Sequence, residues 1–176
     1  CPLDCNNGDV DGHGTKVAGI VAASGGLEGV GKDADLIGLR VFEEGRNDAD
    51  LWVVADAVRW CVNNANQYGI SVISMSLVTD QTFDDFCDNV YPPIADAIDN
   101  AVANKISVVV STGNNGDTNG IALPSCMSKA IPVAATAVFL IWKPVEAFTP
   151  ASHQSPDEMP PLRPYLIAAA AFPAFQ

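Results

Sequence analysis

The sequence predicts an α/β fold: three layers, with a mostly parallel sheet between helices on both faces. Two observations carry that expectation. Short apolar runs alternate with longer segments whose apolar residues recur at helical spacing, and their order along the chain is strand, helix, strand, helix, strand. Such an order implies right-handed crossovers in a parallel sheet, with ligands bound beyond the carboxyl ends of the strands.

The elements follow in turn. Gly12 and Gly14 give the backbone freedom that residues with a β-carbon lack, and Thr15 is expected to cap a first helix whose Val17, Ala18, Ile20 and Val21 pack inward. Leu36-Ile37-Gly38-Leu39 reads as a short buried strand. A helix then carries Leu51, Val54, Val58, Cys61, Val62 and Ala65 on one face, capped by Asp48 or Asp50 and ended by Gly69. Val72-Ile73-Ser74-Met75 is a second buried strand. Pro92-Pro93 opens the next helix, with Ile94, Ala97, Ile98, Ala101 and Val102 on its apolar face, and Ile106 to Val110 forms the third strand. No internal repeat occurs, and the one boundary expected is near Val138, dividing residues 1–138 from a Pro-rich segment, 139–176.

Composition narrows the function classes. At 176 residues, 48% hydrophobic and 17% charged, the chain has enough apolar material for one good core and is unlike a disordered segment. A net charge of −12 disfavours nucleic acid and anionic membranes, which would repel it. No apolar run reaches the length of a membrane span, since Leu166 to Phe172 is short, Ala-rich and followed by Pro173. The five cysteines, Cys1, Cys5, Cys61, Cys87 and Cys126, have neither Cys-x-x-Cys pairs nor zinc spacing and fit an oxidising compartment. Cys87 and Cys126 flank the loops around the third strand and are the expected disulfide, whereas Cys61 falls on a helix's apolar stripe as a core residue. Asp80, Asp84, Asp85 and Asp88 lack regular ligand spacing. They read as a solvated charged loop ahead of a structural calcium site, and no residue is assigned as a metal ligand.

The chemistry concentrates in Asp11-Gly12-His13-Gly14-Thr15-Lys16-Val17-Ala18-Gly19-Ile20. An imidazole at a helix start titrates close to neutral pH and can take a proton from a nucleophile and return it to a leaving group. The plain alternative is a loop histidine that packs or caps. The segment resembles the histidine motif of the subtilisin-like serine proteases, the subtilases, whose G-H-G-T-x-V-A-G is met at every fixed position. Three more segments resemble the same family in the same order. They are Gly29 to Phe42, the strand Ser71-Val72-Ile73-Ser74-Met75-Ser76-Leu77, and Val108-Val109-Val110-Ser111-Thr112-Gly113-Asn114-Asn115-Gly116. With Leu123-Pro124-Ser125-Cys126 and Ile131 to Thr136, the likeness runs from about Asp9 to Val138.

What the resemblance implies is a serine endopeptidase with His13 as general base and Asn114 as oxyanion donor. A turn asparagine in Gly-Asn-Asn-Gly is the alternative for Asn114. By the same likeness Ser76-Leu77-Val78 pairs as a strand with an extended peptide and Ser111-Thr112-Gly113 walls the side-chain pocket. Val78 stands where relatives have glycine and narrows the adjoining space. His13 and Asn114 are expected to converge on a single cavity at the sheet's rim. The implied partner is a peptide or protein, the implied state a monomer outside the cell, and no cofactor is required.

Other parts of the pattern are missing. Family triads run Asp, His, Ser along the chain. Asp4, Asp9 and Asp11 precede His13 but follow no apolar strand, and no Gly-Thr-Ser occurs. Ser152, His153 and Ser155 lie in a proline-broken stretch that lacks a nucleophile's setting. Two accounts fit: a piece of a longer protease, which a start at Cys1 favours, or a degenerate, non-catalytic relative that binds peptides. The chain as given is expected to be inactive. A small-ligand module holding an anion in Gly-rich turns is a third reading, for which no G-x-G-x-x-G or P-loop follows a strand.

Overall fold

Two helices and the strands that follow them build the core, for reasons local to their sequences. Asp50 accepts the Trp52 amide at 2.9 Å and caps the helix Leu51–Tyr68, which ends where Gly69 takes a left-handed φ of 70°. Its periodic face buries Val54, Ala57, Val58 and Cys61. Pro92 and Pro93 open the helix Pro92–Ala103, whose Ile94, Ala97, Ile98 and Ala101 are buried. Val102 is exposed, at the margin of the predicted stripe.

The computed structural model describes residues 12–26, 28–42, 49–134 and 166–170. In chain order its elements are α1 (His13–Ala22), β1 (Leu36–Gly38), α2 (Leu51–Tyr68), β2 (Ile70–Met75), β3 (Thr82–Phe83), α3 (Pro92–Ala103), β4 (Ser107–Ser111), β5 (Ile121–Ala122), β6 (Ile131–Val133) and β7 (Leu166–Ala170). Five strands form a parallel sheet in the order β1-β7-β2-β4-β6. Helices α2 and α3 pack on each other and on β2 and β4, and α1 lies against β1 and β7. This is the predicted α/β class with its parallel sheet and helical cover. A separate antiparallel ribbon pairs β3 with β5.

The core sits between the helix pair and the middle of the sheet. Ile70, Ile73 and Met75 of β2 and Val108 and Val110 of β4 face Val54, Val58, Ile94 and Ile98, all at most 5% exposed. Each such side chain contributes roughly 1.5–3 kcal/mol relative to exposure. Cys61, 1% exposed, belongs to this core as the sequence predicts, and burial pushes its thiol up to about 12.

Four expectations are corrected. Thr15 is not the cap of α1: the helix starts two residues earlier, with Gly12 at φ 77° as N-cap. Ile20 does not pack inward but is 70% exposed; among the described residues α1 contacts the sheet at β1 and β7. β1 is not a buried strand, since it holds the sheet's edge and leaves Leu36 exposed; burial comes just after it, at Leu39, Val41 and Phe42. Leu166–Ala170, for which the sequence predicted no element, is a strand between β1 and β2. Alanine is a weak strand former, so that run carries little β signal of its own.

The junction from α3 into β4 shows a departure from ideal local chemistry. The Lys105 amide donates to the Val102 carbonyl and the Ile106 amide to the Ala101 carbonyl, the paired bonds of a Schellman ending. Lys105 there has φ 64°, a left-handed conformation normally filled by glycine. Replacing Lys105 by glycine removes about 1–2 kcal/mol of steric cost and adds about 0.5–1 kcal/mol of unfolded-state entropy. Lys105→Gly is therefore expected to stabilise the chain by about 0.5–1 kcal/mol in equilibrium urea unfolding, and a loss of stability would contradict the geometry.

Candidate active site

At the carboxyl ends of β2 and β4 the chain leaves the sheet in two long loops, and the site is made where they meet. The first loop runs from Ser76 to Val90 and the second from Thr112 to Ala130. They are sewn together over their whole length. The Thr79 amide donates to the Leu123 carbonyl at 2.8 Å, and the Asn115 side chain donates to the Asp80 carbonyl at 2.9 Å. Thr82 Oγ1 donates to Asp117 at 2.6 Å beside the β3–β5 ribbon. Cys87 and Cys126 form the expected disulfide, the Cys87 amide donates to the Cys126 carbonyl at 3.1 Å, and Ser128 donates its hydroxyl to Asp88 at 2.9 Å. The Thr82 hydroxyl, then the Asn119 amide, hold the Asp117 carboxyl below the usual carboxylate range, so it is ionised at neutral pH.

The cleft along this seam has a volume of about 750 Å³. Its lining includes Thr112, Gly113 and Asn114 of the second loop, Thr82 to Phe86 of the first, and Cys126, Met127 and Pro132. It opens at the carboxyl ends of parallel strands, where α/β sheets bind ligands. Gly113 sits at φ 118°, in the region that favours glycine, immediately before Asn114. Asn114 is exposed there, and its carboxamide makes no hydrogen bond among the described residues, in contrast to its neighbour Asn115. A turn-forming asparagine bonds its side chain to nearby backbone; the Asn114 side chain makes no such bond among the described residues.

The other predicted site residues are placed as follows. Leu77 is buried at 2% exposure, so its side chain is core and only its backbone and those of half-buried Ser76 and Val78 face the rim. Ser111 Oγ donates to the Leu77 carbonyl at 3.5 Å, linking the two predicted substrate segments. Ser76, Leu77, Val78 and Ser111 do not line the cleft that Asn114 lines. Nor does His13, half-buried at the first turn of α1 on the β1 and β7 side. The cleft thus contains the carboxamide but not the imidazole. Asp80, Asp84, Asp85 and Asp88 do not gather with other acidic, cysteine or histidine side chains into a group that can hold a metal ion, among the described residues. Asp4, Asp9, Asp11, Cys1, Cys5, Ser152, His153 and Ser155 lie outside the described residues.

Sequence reading missed Asn115, Thr82 and Asp117 as organisers of the site. Their bonds join residues 35 apart in the chain, and composition marks them only as turn residues.

The sequence profile of the subtilase family matches residues 4–171. The chain belongs to the subtilase family. Among its relatives, the major intracellular serine protease of Bacillus subtilis is 32% identical over 140 residues, which are 74% of this chain and 39% of that protein. The minor extracellular protease Vpr of the same organism is 34% identical over 137 residues, 77% of this chain and 16% of Vpr. A solved structure, the epidermin leader peptide processing serine protease EpiP from Staphylococcus aureus, aligns with a TM-score of 0.55 at 26% identity over 68% of this chain and 33% of that one. The subtilase chain therefore spans well under half the length of these relatives. They include enzymes named for locations inside and outside the cell.

The disulfide closes a loop with a sequence separation of 39, for which chain entropy gives about 4 kcal/mol of stabilisation. The Cys87→Ser/Cys126→Ser variant of this subtilase chain should lose most of that amount in denaturant unfolding. A loss under 1 kcal/mol would show that the hydrogen bonds alone hold the seam.

Proposed function

We propose that this chain is the part of a serine endopeptidase that binds an extended peptide and stabilises the oxyanion. Asn114 is the oxyanion donor, and its unengaged carboxamide on the cleft wall is the observation that carries the reading. When a hydroxyl attacks a peptide carbonyl, negative charge grows on oxygen, and a fixed N–H aimed there stabilises the transition state more than the ground state. His13 is the general base, a role supported by the match of Gly12 to Gly19 to the family's histidine motif. Ser76-Leu77-Val78 offers backbone to the peptide, and Ser111-Thr112-Gly113 walls the side chain before the cut. Substrates are peptides or proteins, taken by a monomer. An extracellular setting is supported by the Cys87–Cys126 disulfide. No cofactor enters the chemistry.

These 176 residues contain no Gly-Thr-Ser start for a nucleophile. That observation favours a second reading, in which the chain binds peptides without cutting them.

The test has two arms. A fluorophosphonate serine probe is expected to leave the chain unlabelled, and covalent labelling would refute the missing nucleophile. In a chimera that places residues 12–134 in the matching region of the intact Bacillus subtilis intracellular protease, Asn114→Ala should lower kcat by about 10²–10³ with little change in KM. An unchanged kcat in an active chimera would remove Asn114 from the mechanism.

A further inference from the structure

The cleft beside Asn114 is lined unevenly in charge. Asp84, Asp85 and Asp117 contribute carboxylates and Phe83 and Phe86 contribute rings, while no lysine, arginine or histidine lines it. None of the three carboxylates has a cationic partner among the described residues. Asp85 accepts its neighbour Phe86's amide at 2.7 Å, Asp117 accepts the Thr82 hydroxyl and the Asn119 amide, and Asp84 makes no hydrogen bond. The carboxylates do not converge on one point as a metal ion requires. They come from both loops, Asp84 and Asp85 from the first and Asp117 from the second. Phe86, on the first loop, lines the cleft and is 73% exposed.

We infer that this cleft selects a cationic side chain, the lysine or arginine of a bound peptide, through Asp84, Asp85 and Asp117. The inference rests on the peptide-binding reading above and adds the substrate class to it. A long ammonium or guanidinium side chain matches the lining in two ways. Its charged end meets carboxylates that no protein cation neutralises, and its approach over Phe83 or Phe86 gains from the negative face of the ring. An acidic side chain meets the same walls with repulsion. The overall charge of −12 adds attraction at long range and makes it dependent on salt. Asp117 is further fixed in its charged form by the Thr82 hydroxyl, so the selectivity does not fade in the neutral range.

The experiment is calorimetric titration of the full 176-residue chain with blocked tetrapeptides, acetyl-Ala-Ala-Ala-Xaa-amide, in which Xaa is Lys, norleucine or Glu. Norleucine keeps the length of lysine without its charge. At low ionic strength the lysine peptide should bind about tenfold or more tightly than the norleucine peptide, with the glutamate peptide weakest. Added salt should narrow the gap. Asp84→Asn/Asp85→Asn, both exposed positions, should reduce the ratio towards one, while Asp117 is left intact to keep its bonds to Thr82 and Asn119. Equal affinities for lysine and norleucine would overturn the inference and leave the peptide site standing. A lysine preference that survives the double substitution would also overturn it. If no peptide binds, the peptide-binding reading fails and this inference with it.

Discussion

The seam between the loops after β2 and β4 is the constraint on which the rest of the site depends. A parallel sheet delivers strand ends to a common rim, yet the chain beyond those ends has no ladder to hold it. Here the Cys87–Cys126 disulfide, the Asp88–Ser128 bond and the Thr79–Leu123 backbone bond replace that ladder. Asn115 does the same one residue from Asn114, by donating to the Asp80 carbonyl. Between these cross-links Gly113 turns the chain at φ 118°, and the Asn114 carboxamide that follows makes no hydrogen bond among the described residues.

The same seam explains why adjacent asparagines have different fates. Asn115 donates its side-chain amide across the seam to the Asp80 carbonyl, whereas the exposed Asn114 side chain makes no hydrogen bond among the described residues. The cleft lining mixes apolar groups (Phe83, Phe86, Met127, Pro132) with polar and acidic ones (Asn114, Asp84, Asp85, Asp117). His13 opens α1, which contacts β1 and β7, and Asn114 follows β4.

Much of this architecture was legible in the sequence, and the exceptions have physical causes. Helices α2 and α3 announce themselves by periodic Val, Ile and Ala, by Asp50 and by Pro92-Pro93, because local capping and a one-sided core act on contiguous residues. Strands β2 and β4 are short apolar runs after those helices and were equally plain. The ribbon β3–β5 was not, since each strand has two residues and exists only through a partner about 40 positions away. The edge position of β1 depends on sheet order, which periodicity does not encode. Strand β7, rich in alanine, is defined by the neighbours it lies between. At the site, the flanking cysteines marked the disulfide, but the hydrogen bonds of Thr82, Asn115 and Asp117 across the seam had no local signal.

The central claim is that the two sewn loops form one peptide-binding surface at the ends of β2 and β4. Its most direct test is amide chemical-shift mapping of the full chain titrated with an extended blocked hexapeptide. The account predicts shifts concentrated at Ser76 to Val78 and Thr112 to Asn114, with the outer faces of α2 and α3 silent. Shifts confined to those helices, or to α1 alone, would contradict it.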